Sequence, residues 1–229
     1  MAFTGFTNET FDFLAGVHFS PTELFVKSNY ANYTNHVLRP MQALAMQLSP
    51  YITELLDAEV DTQPRRTVSR LRRDTRFSND KTPYRDYVWL SFKRWEPAKD
   101  SYGFFFAIGY NWFDFGFGFY DVERSVLLNI KEKMLLFSDT FLGLVNEPEF
   151  KAIYTLSGAD YVRPIKKELV GTEIYPWYQK KNFWFAYEAP LHSSLYDGTI
   201  EQTLIHAIKT AAPVYRFILS AMYPQEGIV

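Results

Sequence analysis

Cysteine is absent from the 229 residues. Its absence excludes disulfides, thiolate nucleophiles and any cysteine-based zinc site. Long apolar runs are missing too: the longest, near Phe104–Ile108, falls far short of the ~18 residues a membrane-spanning helix needs. The opening residues MAFTGFTNET carry neither a basic segment nor an apolar one, so no secretory signal is expected. Net charge is small, −2, which argues against a general nucleic-acid coat while leaving room for a local patch. There are no internal repeats, low-complexity tracts or linkers, so a single domain over residues 1–229 is expected. Together these absences favour a cytoplasmic protein.

Rings are plentiful. The chain has 21 Phe, 16 Tyr and 5 Trp, so its core must be rich in aromatic side chains. Residues 101–120, SYGFFFAIGYNWFDFGFGFY, hold eleven aromatics in twenty positions and no Lys or Arg. Two strands are predicted there, about 102–110 and 114–120, joined by a turn at Asn111–Phe113. In the second, Phe115, Phe117 and Phe119 alternate with Gly116 and Gly118, giving one ringed face and one bare face. The bare face is expected to receive a packed helix, with a ligand groove as the lesser alternative. Base stacking on these rings is disfavoured, because the basic interleaving of an RNA-binding sheet is missing.

Residues 87–93 alternate as a strand, with Tyr87, Trp89 and Ser91 opposite Val88, Leu90 and Phe92. Asn182–Glu188 reads as another strand. A helix is predicted over Glu9–Ala15 with Thr7 as its cap. Ser20-Pro21-Thr22-Glu23 has the form of a capping box opening a second helix that continues to Leu48. Pro40 is expected to kink or restart that helix, and Ser49-Pro50 to start a short one through Leu56. Further helices are expected after Asp121, at 139–146 and 148–155, and from Thr199, capped with Gln202, to Met222 with a bend at Pro213. Helices, then strands, then helices describe an α+β domain: an antiparallel, aromatic-rich sheet packed by N-terminal and C-terminal helices.

The strongest chemical signal lies in residues 65–86, RRTVSRLRRDTRFSNDKTPYRD. Eight basic side chains stand against Asp74, Asp80 and Asp86, so this window is +5 and the remainder of the chain −7. A local positive field in an acidic chain calls for an anionic counterpart, inside the fold or arriving as a ligand. If Val68–Arg76 is a strand, Arg70, Arg72, Asp74 and Arg76 share a face and Arg73 points away. Ser78-Asn79-Asp80 then reads as a turn, and Pro83 bars a regular continuation. Guanidinium forks suit carboxylate or phosphate and do not lose their charge. Lys81 and Tyr84 add a point charge and a phenol. The alternative is structural, an internal Arg–Asp–Tyr clamp tying helices to the sheet. His18, His36, His192 and His206 have no acidic or histidine partner at i+3 or i+4, so no metal pair is expected and all four are read as ordinary.

Residues 70–84, RLRRDTRFSNDKTPY, resemble the signature of a widespread uncharacterised family, the domain of unknown function 2461. Its pattern runs Arg-x-x-Arg-Asp-x-Arg-Phe-x-x-Asp/Asn-Lys-x-x-Tyr. Arg70, Arg73, Asp74, Arg76, Phe77, Asp80, Lys81 and Tyr84 fill every position. Phe3-Thr4-Gly5-Phe6, Gly103-Phe104-Phe105 and Lys181-Asn182-Phe183 also fit. In one place the chain departs. Where the family has Asn-Asn-Arg/Lys-x-Trp-Phe at the head of its second helix, this chain reads Pro21-Thr22-Glu23-Leu24-Phe25-Val26, with Asn29 and Tyr33 keeping the pattern downstream. The resemblance implies a functional unit around the motif and no particular activity or cofactor.

The expectation from sequence is therefore a cytoplasmic α+β protein that binds a small phosphate- or carboxylate-bearing ligand through Arg70, Arg73, Arg76 and Lys81. Asp74 would orient the arginines, and Asp80 and Tyr84 would shape the rim. No cofactor is implied. If chemistry follows, the arginines would stabilise developing charge, and Asp74 or Asp80 would be the local base. The alternatives are an interaction module that meets nucleic acid or an acidic protein, and the purely structural clamp.

Overall fold

Thr7 opens the first helix, α1 (Asn8–Phe19), which runs a turn beyond the expected Ala15. Its amide donates to Thr10 Oγ1 at 3.1 Å. The computed structural model describes residues 2–76, 79–94, 102–119 and 121–223. The second helix, α2 (Glu23–Ser28), is capped by Thr22 and not by Ser20: the Phe25 amide donates to Thr22 Oγ1 at 3.2 Å. Pro21 therefore precedes the helix and does not sit in its first turn.

The chain then stays helical through both prolines. A short α3 (Tyr30–Asn32) passes into a π-helical turn, Tyr33–Leu38, and on into α4 (Arg39–Leu55). Pro40 has no amide to offer the His36 carbonyl four residues back. The buried Thr10 hydroxyl donates to that carbonyl instead, at 2.6 Å, so the wider turn continues where a break was expected. Pro50 likewise starts no new helix. The carbonyl it orphans belongs to Met46, on an exposed turn where water can serve it. Leu44, Leu48 and Ile52 keep the buried stripe unbroken across it.

A one-turn α5 (Pro64–Thr67) leads into the basic segment. The predicted strand over Val68–Arg76 is reduced to two isolated bridges, Val68 with Leu90 and Arg72 with Tyr84. Pro83 cannot donate to a ladder. The Trp89 amide goes to the Ser69 hydroxyl, at 3.1 Å, and not to a backbone carbonyl. What remains is a ragged hairpin, held by Arg73 N–H to Pro83 O and Arg85 N–H to Leu71 O. Phe77 and Ser78, and with them part of the predicted turn, lie outside the described residues.

The sheet is antiparallel throughout. Its strands are β1 (Tyr87–Lys93), β2 (Gly103–Gly109), β3 (Trp112–Phe119), β4 (Thr155–Ser157) and β5 (Phe183–Pro190), in the order β1-β2-β3-β5-β4. The turn between β2 and β3 falls at Tyr110-Asn111, slightly earlier than predicted. Val88, Leu90 and Phe92 face Ile108, Phe106 and Phe104, which in turn face Phe113, Phe115 and Phe117. Phe117 and Phe119 then meet Phe185 and Phe183. Each such ring contributes about 1.5–3 kcal/mol on burial.

Between β3 and β5 the chain forms α6 (Arg124–Leu136, beginning after Glu123 and not Asp121), α7 (Ser138–Asn146), α8 (Pro148–Ile153) and α9 (Tyr175–Tyr178). After β5 come α10 (Ser193–Asp197) and the long α11 (Ile200–Met222). The expected Thr199–Gln202 box does not form, because the Thr199 hydroxyl donates to Asp197 Oδ1 at 2.6 Å. The helices cover the ringed face of the sheet. Tyr102 and Tyr215 lie 4.4 Å apart between centroids, and Tyr154 Oη donates to the Ala207 carbonyl of α11 at 2.8 Å. Sheet and helices share one hydrophobic core. No helix among the described residues is long and apolar enough to cross a membrane.

Among the described residues, no helix lies against the glycines of the bare face, where one was expected. What approaches its glycines is the neighbouring strand: a Cβ at Gly116 would stand 2.0 Å from the Phe185 carbonyl oxygen. Gly118, at φ +146°, would bring one within 2.4 Å of Trp184 Cα. That φ is available essentially to glycine alone. Among the described residues the face forms the floor of a broad trough of about 600 Å³.

Candidate functional site

Two neighbouring hollows separate the basic residues of the hairpin: Arg70 lines one and Arg73 the other, while Arg76 and Lys81 line neither. The ragged hairpin alternates, so Arg70 and Arg72 emerge on one side and Arg73 on the other. Arg70 and Arg72 face α2 across a groove of about 590 Å³ that Lys27, Tyr30, Tyr33 and Tyr84 also line. Glu23 is the groove's one carboxylate, and it is paired with Lys27 at 2.9 Å. Three cationic side chains therefore share this groove with a single acid. Arg70 and Arg72 make no side-chain hydrogen bond or ion pair among the described residues, whereas their backbones are used: Arg70 O accepts from Arg85 Nη1 at 2.9 Å. Burial pushes the Tyr33 phenol up from its ordinary value, so it stays a neutral hydrogen-bond donor.

The wall opposite these guanidiniums is α2, the segment in which the chain departs from the family pattern. Glu23, Val26 and Lys27 from that segment line the groove directly. Arg72 was not among the residues singled out by the signature. Only its place beside Arg70 in the hairpin brings it in.

The second hollow, about 240 Å³, is lined by His18, Arg73, Asp80, Tyr84, Arg85 and Asp86, among others. Arg73 is ion-paired with Asp80 there. Asp80 also accepts from the Thr82 hydroxyl and amide, at 2.5 and 2.8 Å. These two bonds, then Arg73, hold its carboxyl down at about 2. Asp74 does not touch Arg73. It takes Arg76 in a forked pair, with Nε and Nη2 donating at 3.0 and 2.7 Å. That bond, with the Arg76 amide, holds Asp74 down at about 2 as well. Carboxylates this acidic are poor proton acceptors at neutral pH, so neither suits the role of general base. Lys81 points away from both hollows' arginines and donates to the Thr75 carbonyl at 2.9 Å.

Tyr84 lines both hollows, and Tyr87 lines the second together with the sheet trough. The three depressions thus adjoin along one side of the molecule. His18, read from sequence as ordinary, is placed at this junction by the end of α1. Its Nδ1 meets Asp86 Oδ2 at 2.6 Å, and its ring stacks on Tyr110 at 4.2 Å between centroids. The two partners are 68 residues apart, so no local spacing reveals them. A carboxylate only accepts, so it is Nδ1 that carries the shared hydrogen, and the contact fixes the orientation of the ring.

The trough contains a group that sequence analysis passed over. Asp114 of β3 lies in the middle of the uncovered face, with Ala107 on one side and Glu188 on the other. Its Oδ1 is buried without a hydrogen-bond partner among the described residues. Burial first, then the Glu188 charge, push its carboxyl up to about 7. The alternation of β3 pointed to this placement, but a lone aspartate in a run of phenylalanines gave no reason to choose it.

An antiparallel sheet closed on one face by helices, with a basic hairpin against its edge, defines the class: a one-core α+β protein with surface hollows beside the sheet. The chain belongs to the family described as Conserved hypothetical protein (DUF2461), whose sequence profile matches residues 9–217. No curated protein matches it.

Proposed function

We propose that this protein binds a small anionic ligand, bearing phosphate or carboxylate, in the groove between α2 and the basic hairpin. The observation that carries the reading is the pair Arg70 and Arg72: two exposed guanidiniums facing a cavity with Lys27, unsupplied with a carboxylate of their own among the described residues. Guanidinium forks match the geometry of phosphate and carboxylate oxygens, and three neighbouring phenols supply donors. The rest of the signature supports the groove from behind. Arg73–Asp80 and Arg76–Asp74 are self-neutralised pairs that shape the hairpin from which Arg70 and Arg72 project. A cytoplasmic setting belongs to the same proposal and rests on the absence of cysteine.

Titration calorimetry with pyrophosphate and citrate tests the reading. Arg72→Glu is expected to weaken binding by about tenfold or more, since a charge-assisted pair is lost and a repulsion added. Because Arg72 is exposed, the variant should melt within a degree or two of the parent. No binding of either anion, or equal binding by Arg72→Glu, would overturn the proposal. Tight binding of an oligonucleotide that collapses with salt would instead make the groove part of an interaction surface.

A second reading, that a bound ligand also undergoes proton transfer, is favoured by the His18–Asp86 contact beside Arg73. A histidine whose ring is oriented by a carboxylate is a candidate proton acceptor. p-Nitrophenyl phosphate and acetate serve as probes: slow hydrolysis above background is expected, lost in His18→Gln while pyrophosphate binding persists. Turnover that is absent, or indifferent to His18, would remove this reading.

A further inference from the structure

The uncovered sheet face has the opposite character from the basic groove. Its floor includes small residues, Gly103, Ala107 and Gly118, which lie buried beneath the surrounding rings and leave room above the strands. Around the Asp114 position stand Tyr87, Trp89 and Trp112: Tyr87 lies 5.8 Å from Trp89 and 5.9 Å from Trp112 between ring centroids. Trp89, Ala107, Asp114 and Glu188 occupy one row across four strands. Rings thus line the trough together with the Asp114 carboxylate, whose Oδ1 has no hydrogen-bond partner among the described residues.

We propose that this trough binds a small organic cation, an alkylammonium or guanidinium group, either free or carried on a lysine or arginine side chain. Three observations converge on it. Aromatic faces attract cations, and a ring of them around a carboxylate is the usual means of holding ammonium groups. Both acids of the row lack a basic neighbour in it. Among the described residues, the one lysine lining the trough, Lys93, is four residues along β1 from Trp89, about 13 Å away at the rise of a strand. Finally, the protein already seats a cation on this aromatic cluster: the Arg85 guanidinium lies over the Trp89 ring at 4.7 Å. The inference does not depend on the anion groove, because it rests on different residues and on the opposite charge.

Three of the chain's five tryptophans, Trp89, Trp112 and Trp184, line the trough, so intrinsic fluorescence reads its occupancy. Titration with tetramethylammonium, butylammonium and arginine amide should give saturable changes, and the neutral alcohol tert-butanol should not. Asp114→Asn is expected to weaken cation binding by about tenfold, as loss of a charged partner does. Trp112→Leu should weaken it as well and guards against misfolding of the first variant. Arg72→Glu, which disables the anion groove, should leave cation binding unchanged. The free amine outranking arginine amide would point to a metabolite, and the reverse to a protein side chain; either outcome supports the site. No saturable response, an equal response to tert-butanol or to glucose, or full binding by Asp114→Asn would overturn it.

Discussion

Arg94→Ala should cost the fold about 3–5 kcal/mol, the usual penalty for leaving a buried charge without its partner. The residue left behind is Asp57, whose side chain is only 3% exposed. Arg94 Nε and Nη2 donate to its two oxygens at 2.7 and 2.9 Å, and the Glu59 amide adds a third bond at 3.0 Å. The same guanidinium lies over the Tyr223 ring at 4.2 Å. One side chain therefore joins the end of α4, the exit of β1 and the end of α11. Urea unfolding of Arg94→Ala is the measurement. The pair Arg94→Met with Asp57→Leu should recover most of the loss, since removing both charges removes the desolvation cost together with the attraction. An alanine variant within 1 kcal/mol of the parent, flagged as the scale of an ordinary surface change, would show that water reaches Asp57.

Asp114→Asn should stabilise the protein at pH 8 by about 2–4 kcal/mol and change little at pH 4. The sign follows from the direction of the shift. In the folded chain the Asp114 carboxyl is raised to about 7, against 3.8 ordinarily. Between those two values the native state holds a proton that the unfolded chain has released. Stability from this group is therefore present at low pH and is lost as pH rises to about 7; above it, the fold must carry a desolvated carboxylate beside Glu188. Asparagine has no such charge to bury. Denaturant titrations of both proteins at the two pH values decide the matter: an equal difference at pH 4 and pH 8 would mean that Asp114 is ionised throughout.

Much of the fold was legible because the forces that write it are local. The period-two alternation of residues 87–93 matches β1 residue for residue, and the ring-and-glycine alternation of β3 correctly divides its two faces. The helix ends were less legible. Thr22 replaced Ser20, and Glu123 replaced Asp121, because several polar residues competed for each cap and packing chose among them. Pro40 and Pro50 looked like breaks, but Thr10, thirty positions upstream of Pro40, and solvent at Met46 supply what the prolines withhold. The short β4 carries no signal of its own and exists by pairing with β5. Lys131 lies on α6, and its position in the sequence carries no sign of its surroundings. In the structure it is buried, donates to the Lys180 carbonyl at 2.6 Å, faces the Tyr161 and Tyr178 rings, and is pushed down to about 8 by burial.

The site divides in the same way. The excess of positive charge and the alternation that sets Arg70 and Arg72 apart from Arg73 are properties of the 22 consecutive residues 65–86, and the sequence alone determined them. Which arginines are already answered by an acid, that His18 finds Asp86, and that the bare face of the sheet stays uncovered were decided only by the tertiary structure. The physical reason is range. Periodicity and propensity act over a few residues, whereas partnering a charge or covering a face depends on which distant segments the core brings alongside it.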